Sequence, residues 1–458
     1  MSIWNALNCT YSFEDAFRGK DCTTKAMQAA IQHWVHLYYS REATEDSDPC
    51  QEIAYTIVNK LTKTAFGEYK AESTDQFAQA VLDVLDSVKR EAMQLALIGG
   101  EAWLKPVPGK DGFTFSVIRR DNAAIFGRDS HGSPNDMVTA EYTSGSSGFY
   151  SLLERRTVDG RGYLTIRNRL YRSDSRDSLG TPVALHSLER YKELPDEYTF
   201  PKPLGGLGLA RLKTPLENCV DGSPDGVSVY APAVGLIHNI DHNEALLNGE
   251  FDRGQSRIIA SADLLRKDRS GRRRLEDKIF VGIDDDPESV GLTIFSPELR
   301  EQSFLARKQS YLRAAESVIG LKRGLLSEVE ETERTATEVT SSAGDYNLTI
   351  ISFQKMFESA VKEAVRICGL LGSLYHVPGA HVVAEDAVSI DWGNGILYDE
   401  DKTWADYLDM VSRGLLKPEI ALGWRFGMPA ETEADLAAIR AKYMPEMQQL
   451  GEGAEDEK

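Results

Sequence analysis

The longest regular pattern of apolar residues in the chain lies between Val339 and Leu371. Its members recur at alternating steps of four and three residues: Val339, Ala343, Tyr346, Ile350, Phe353, Phe357, Ala360, Ala364, Ile367 and Leu371. This spacing places them on one side of an α-helix about 48 Å long. A stripe of that length is typical of a core helix, of a coiled-coil strand or of a helix in a multi-helix assembly, and periodicity alone leaves these three open.

Shorter apolar stripes predict further helices. Residues 75–98 carry one such stripe, with Ser73 and Thr74 as candidate N-caps and Gly99-Gly100 as the stop. Other helices are predicted at 25–69 with a polar break at EATEDSDP, and at 232–254, 296–319, 402–413, 417–424 and 431–443. In 296–319 apolar pairs repeat every seven residues, a spacing that favours packing on other helices. The pairs are Phe304/Leu305, Tyr311/Leu312 and Val318/Ile319.

Residues 100–215 change to the two-residue period of β-strands. Phe113, Phe115 and Val117 alternate with polar residues after a PGKDG turn, which predicts a hairpin. A second hairpin is expected to turn at Asp159-Gly160, and TSGSSG (143–148) reads as a loop tip. With a late strand in AVSIDW, the pattern predicts an α+β fold.

Composition and charge exclude some classes of protein. The chain has 458 residues, a length typical of roughly three domains or of one large multi-part fold. Its 41% hydrophobic and 27% charged residues are typical of globular proteins and argue against a membrane protein. Its 52 basic and 71 acidic residues give a net charge of −19, so any contact with DNA is expected to be local or weak. The five cysteines contain no C-x-x-C pair, and the N-terminus has no signal-peptide pattern, so free thiols and a cytosolic site of synthesis are expected.

A search for catalytic motifs yields no nucleophile, no phosphate loop and no cofactor fingerprint. The cluster GGLGLAR has Arg211 where a dinucleotide fingerprint needs a small residue. His238 and His242 share one face of a predicted helix and could supply two metal ligands, but no third ligand is identifiable. We therefore predict no catalytic residue, no metal ligand and no cofactor.

One run of basic residues, RKDRSGRRR, occurs between the helices predicted at 232–254 and 296–319. Its cations are Arg266, Lys267, Arg269, Arg272, Arg273 and Arg274. The run contains no aromatic residue that could stack on a base. It therefore indicates a solvated loop or a protein-docking patch.

Five segments, taken in order, resemble bacteriophage portal proteins, the head-to-tail connectors of tailed phages, in their siphophage form. They are IQHWVHLYYS, ALIGGEAWLKPV (96–107), NCVDGSPDGVSVYAPAVGLIHNIDHNEALLNGEF (218–251), ERTATEVTSSAGDYNLTIISFQKMFESAV (333–361) and SIDWGNGILYDEDKTWADYLDMVSRGLLKPEIAL (389–422). GGEAWLK (99–105) and TATEV (335–339) are the most specific. The resemblance spans nearly the whole chain.

The resemblance implies a non-enzymatic ring of about twelve subunits at one capsid vertex of the virion, assembled in the host cytoplasm. Double-stranded DNA would pass through it during packaging and ejection, without sequence readout. The terminase large subunit and a head-tail adaptor would dock on it, and the major capsid and scaffolding proteins would surround it. The alternatives are another ring-forming phage head or tail protein, or an enzyme of unrecognised type using the α/β region and acidic pairs.

The family plan also implies a domain layout. It gives an N-terminal helical and β-rich wing (1–231), a first stem helix (232–255), a clip (256–295), a second stem helix (296–319), a tunnel loop (320–335), a long helix with the wing return (336–400) and a helical crown with an acidic tail (401–458). The six residues of the heptad pairs would pack the stem, and the six cations of the basic run would dock partners.

Channel residues are expected near 320–335, where GLKRGLLSEVEETE departs from the aromatic, Gly-bearing turn usual in the family. A duplex with one phosphate charge per about 1.7 Å slides more freely past an acidic lumen than past a basic one. The candidates are Glu328, Glu330, Glu331 and Glu333, with Lys322, Arg323 and Arg334 as the few groups able to touch phosphate. A solvated loop is the other interpretation of these acids.

Overall fold

A computed structural model gives the fold of residues 13–39, 49–145, 148–175, 178–253, 257–260, 266–267, 273–274, 292–295, 298–328, 336–393, 400–430 and 432–444. These residues divide into two compact units, Met1–Ile390 and Asp391–Lys458. The fold is mixed α+β with antiparallel sheets, as the sequence predicts.

The helices of the described residues are α1 Phe13–Phe17, α2 Lys25–Tyr39, α3 Ile53–Ala65, α4 Gln76–Gly99, α5 Val234–Arg253, α6 Glu301–Ile319, α7 Ala336–Tyr375, α8 Glu400–Ser412, α9 Pro418–Arg425 and α10 Glu433–Tyr443. The strands are β1 Lys70–Ser73, β2 Glu101–Pro108, β3 Phe113–Arg119, β4 Ala123–Arg128, β5 Pro134–Gly145, β6 Gly148–Val158, β7 Leu164–Ser173, β8 Thr181–Val183, β9 Glu197–Thr199, β10 Ala210–Lys213, β11 Arg257–Ala260, β12 Arg266–Lys267, β13 Arg273–Arg274, β14 Leu292–Phe295 and β15 Val388–Asp391.

Both predicted hairpins are confirmed. Strands β2 and β3 pair antiparallel and continue through β10 into a three-stranded sheet. Strands β6 and β7 pair across the turn at Asp159, whose carboxylate accepts hydrogen bonds from two backbone N–H groups of the turn. They belong to a sheet of order β4-β5-β6-β7-β8, with β9 also paired to β7. The tip at 146–147 lies outside the described residues.

The predicted helix at 75–98 is confirmed, but the predicted cap is wrong. Asp75 is the N-cap, and its side chain accepts a hydrogen bond from the N–H of Ala78 at 2.8 Å. Ser73 instead donates its hydroxyl to the Ala387 carbonyl at 2.7 Å. Gly100 ends the helix at φ 82°, a conformation that glycine adopts without strain.

Helix α7 is the centre of the Met1–Ile390 unit. From Tyr346 onward every member of its apolar stripe is buried, whereas for Val339 and Ala343 only the backbone is described. Phe357 packs edge-to-face on Phe66 with ring centroids 4.9 Å apart, and the helix also contacts α4, β2 and β10. The long stripe is therefore that of a core helix.

The Asp391–Lys458 unit contains α8, α9 and α10, which match the three predicted C-terminal helices. Thr432 and Asp435 form a capping box at the start of α10, and Arg440 reaches the buried Glu419 on α9. The stacked rings of Phe426 and Tyr443 connect the C-terminal end of α9 to that of α10. Among the described residues of both units, none of the helices has the length and apolarity that a membrane span requires.

Candidate ring interface and channel segment

Helices α5 and α6 lie side by side in opposite directions. Pro232 sits in the 3₁₀ turn that leads into α5, where its missing N–H leaves no bond unmade. Arg300 pairs with Glu250 and Lys308 pairs with Glu244, both at 2.8 Å. The later residue of α6 thus contacts the earlier residue of α5, as in an antiparallel helix pair. We call α5, α6 and the strands between them the arm.

The strands continue the antiparallel pairing of the helices. Strand β11 pairs with β14, with Arg257 opposite Phe295 and Ala260 opposite Leu292. A second short ladder joins β12 to β13 further along the insert. Of the six docking candidates, Arg266, Lys267, Arg273 and Arg274 lie on this second ladder, and Arg269 and Arg272 lie outside the described residues.

The heptad pairs of α6 divide between the inside and the outside of the subunit. Leu312 and Ile319 are buried. Leu305, one heptad before Leu312, is 44% exposed, and Val318, which precedes Ile319, is 51% exposed. Phe304 and Tyr311 are half-buried. Among the described residues on or beside the arm, Leu246, Phe251 and Leu299 are also large apolar side chains that are exposed. Phe251, in the last turn of α5, is therefore not part of the subunit core.

After Gly320 the chain turns and runs back along α6. Gly320 itself adopts the left-handed αL conformation, with φ 78°. We call residues 321–328, which follow it, the fold-back segment. The fully buried carboxylate of Glu316 accepts hydrogen bonds from the backbone N–H groups of Leu326 and Ser327. The N–H of Glu328 donates to the side chain of Gln309 at 2.8 Å.

Three of the seven channel candidates lie in the fold-back segment. Lys322, Arg323 and Glu328 are all exposed there. The other four, Glu330, Glu331, Glu333 and Arg334, lie outside the described residues. The structure thus brings the described candidates together on one short segment beside α6.

Of the two histidines considered as metal ligands, His238 faces His33 of α2, with 2.9 Å between their Nε2 atoms and 5.0 Å between ring centroids. Asp241 is turned inward, where it accepts the N–H of Gln51. Among the described residues there is no group of three or more His, Cys, Asp or Glu side chains placed to hold a metal ion.

A cleft between the two large sheets bears on the alternative that the protein is an enzyme, because its lining includes ionisable side chains. The cavity has a volume of about 210 Å³ and is lined by Lys105, Tyr142 and Glu154, among others. Burial alone would raise the pKa of Glu154, but Arg156 and Lys105 outweigh it and hold that pKa at about 2. A carboxylate so tightly paired is ionised at neutral pH and is a poor proton acceptor.

Sequence reasoning did not single out Glu316 or His33. Glu316 is one of 71 acidic residues, and its burial depends on a return of the chain that local pattern does not encode. The heptad spacing of Gln309 and Glu316 on a helix followed by glycine is the only signal that could have suggested it. The partner of His33 lies 205 residues away, so no local signal exists.

Neither a family model nor a curated protein matches this sequence. Among solved structures, the chain is similar to one described as "Neck of native GTA particle computed with C12 symmetry". The TM-score is 0.45 and the identity 12%, over 93% of this chain and 99% of the other. A likeness at this level does not establish a common fold.

Proposed function

We propose that this chain is the subunit of a portal-type ring at one vertex of a phage capsid. The observation that carries the proposal is the arm, where α6 leaves the apolar side chains Leu305 and Val318 exposed although Leu312 and Ile319 of the same heptad pairs are buried. Apolar side chains exposed on a helix are stabilised by a partner surface. Identical subunits that offer each other different surfaces close into a ring when the rotation permits.

In this proposal the arm is the stem and its insert is the clip. The interruption of two antiparallel helices by paired strands supports a portal over other ring-forming head or tail proteins. The six cations of the insert would dock the terminase and later the head-tail adaptor through charge complementarity. The Met1–Ile390 unit supplies the wing and the long helix, and the Asp391–Lys458 unit the crown.

The ring would be a channel for double-stranded DNA rather than an enzyme. The order of segments that resembles portal proteins supports about twelve subunits per ring. Twelve copies of a chain of net charge −19 would carry roughly −230, which disfavours tight holding of the duplex. The fold-back segment and the residues that follow it would line the channel.

Negative-stain electron microscopy of the purified protein tests the proposal directly. We expect rings with a central hole, and we expect Val318→Asp to abolish them because a charge would enter the apolar subunit interface. Val382→Asp is the matched control, since Val382 is 58% exposed and lies away from the arm. Monomeric wild-type protein at all concentrations, or intact rings of the Val318→Asp variant, would contradict the proposal.

A further inference from the structure

The buried carboxylate of Glu316 binds the chain that follows its own helix. Glu316 lies in the last turn of α6 and has no solvent exposure. Its Oε1 accepts hydrogen bonds from the N–H of Leu326 at 2.5 Å and of Ser327 at 2.9 Å. Its Oε2 accepts the Ser327 hydroxyl at 2.8 Å. Both carboxylate oxygens are thus used to hold one dipeptide.

Two further side chains hold the residues on either side of that dipeptide. Gln309 lies seven residues before Glu316, on the same face of α6, and accepts the N–H of Glu328. From α3, the ammonium group of Lys60 donates to the carbonyl of Leu325. Four consecutive residues, 325–328, are therefore fixed by side chains from two helices.

The carboxylate and the segment depend on each other. A buried carboxylate without hydrogen-bond donors is strongly unfavourable, and here the donors come from the fold-back segment itself. Lifting the segment would leave Glu316 buried and unsatisfied or would require water to enter. The arrangement therefore favours one position of the segment rather than a range of positions.

The same contacts determine what the segment presents to solvent. The N–H of Leu325 donates to the carbonyl of Lys322 at 3.1 Å, which closes a turn with Gly324 at φ 89°. Lys322 and Arg323 are exposed in this turn. Glu328, whose N–H donates to Gln309, is the last described residue of the segment.

We propose that Glu316 is the positioning residue of the channel segment. By holding 325–328 against α6, it presents the cationic turn Lys322-Arg323 to the backbone phosphates of a DNA duplex. This inference rests on the proposed function for its ligand, the phosphodiester backbone. The positioning itself can be tested without DNA.

Hydrogen exchange of the purified full-length protein, followed by mass spectrometry, measures the positioning. In Glu316→Ala we expect the amides of residues 326–328 to exchange at least about tenfold faster than in the wild type. Glu316→Gln should restore most of the protection, because its amide oxygen accepts the same N–H groups and its amide nitrogen can donate to Ser327. Glu301→Ala, an exposed acid on the same helix, is the matched control and should change nothing in this segment.

Unchanged exchange at 326–328 in Glu316→Ala would overturn the positioning role. If that variant does not fold, Gln309→Ala serves instead, because it removes one acceptor from a partly exposed site. It should accelerate exchange at Glu328 alone, and protection equal to that of the wild type would again overturn the proposal.

Packaging separates this inference from the proposed function. Phage heads built with Glu316→Ala should contain normal rings and less retained DNA, and Glu316→Gln should restore the DNA. Normal DNA content together with lost amide protection would overturn the channel role of the segment. Absence of rings in the wild-type protein would contradict the proposed function while leaving the exchange result unaffected.

Discussion

Glu101 and Arg120 are fully buried charges that connect distant parts of the chain. Glu101 accepts the N–H of Gly226 at 2.7 Å and a hydrogen bond from Arg211 at 2.6 Å, while Arg120 pairs with Asp225 at 2.9 Å. Removing one partner of a buried ion pair costs about 3–5 kcal/mol, so these contacts constrain the chain strongly. The contact of Glu101 with Gly226 joins two segments that carry the portal resemblance, 96–107 and 218–251.

The contact between His33 and His238 should make stability depend on pH. Burial lowers the pKa of His33 below its usual 6.5, and His238 and His36 lower it further. The unfolded chain therefore binds more protons just below pH 6.5. The stability that His33 contributes is complete above that pH and is lost as pH falls through the folded pKa.

Urea unfolding from about pH 7.5 to about pH 5.5 measures this effect. We expect the wild type to lose more stability over this range than His33→Gln, which cannot be protonated. His381 is a control of opposite sign, because the Gly379 carbonyl and Asp75 raise its pKa. Its contribution is present at low pH and is lost as pH rises, so His381→Gln should steepen the loss on acidification. Identical pH profiles of wild type and His33→Gln would contradict the assignment.

At the scale of elements, the heptad pairs of α6 divide into side chains that the subunit buries and side chains that it leaves exposed. Leu312 and Ile319 are buried, whereas Leu305 and Val318 are exposed. The Val318→Asp experiment tests an exposed position, and the following comparison tests a buried one.

Leu312→Ala and Leu305→Ala should have very different effects on subunit stability. Leu312 is 5% exposed, and its truncation leaves a cavity, so we expect a loss of about 2–5 kcal/mol. Leu305 is 44% exposed, and its truncation should change the unfolding free energy by less than about 0.5 kcal/mol. Equilibrium urea unfolding in a monomeric Val318→Asp background makes the comparison free of ring association. Equal losses for both variants would contradict the different burial of the two positions.

At the scale of the whole molecule, the net charge of the chain bears on how the proposed ring would interact with DNA. A ring of such acidic subunits should bind a short duplex more weakly than about 0.1 mM at physiological salt, the weak end of nonspecific DNA affinity. Fluorescence anisotropy of a labelled duplex measures this. Replacing Glu330 and Glu331 with Lys should raise the affinity and its salt dependence if these residues line the channel. A tight wild-type complex, or no gain in the double variant, would contradict an acidic lining.

Much of the fold was predictable because its signals are local. The stripe of α7, the stripe of α4 and the two hairpins repeat at the periods of their own backbones, so neighbouring residues suffice to identify them. The two helices of the arm were likewise predicted from local spacing, whereas their pairing was implied only by the resemblance to portal proteins. The resemblance to portal proteins likewise depends only on ordered segments of sequence.

Tertiary structure alone decided which of several suitable residues does each task. Ser73, Thr74 and Asp75 can all cap a helix; in the structure Asp75 accepts the Ala78 N–H, while Ser73 donates its hydroxyl to the distant Ala387 carbonyl. Leu305 and Leu312 are equally apolar and lie seven residues apart on α6, and only the tertiary packing buries Leu312. Glu316 and His33 take their roles from chain segments brought back by the fold. Such contacts depend on three-dimensional proximity, which has no period along the chain.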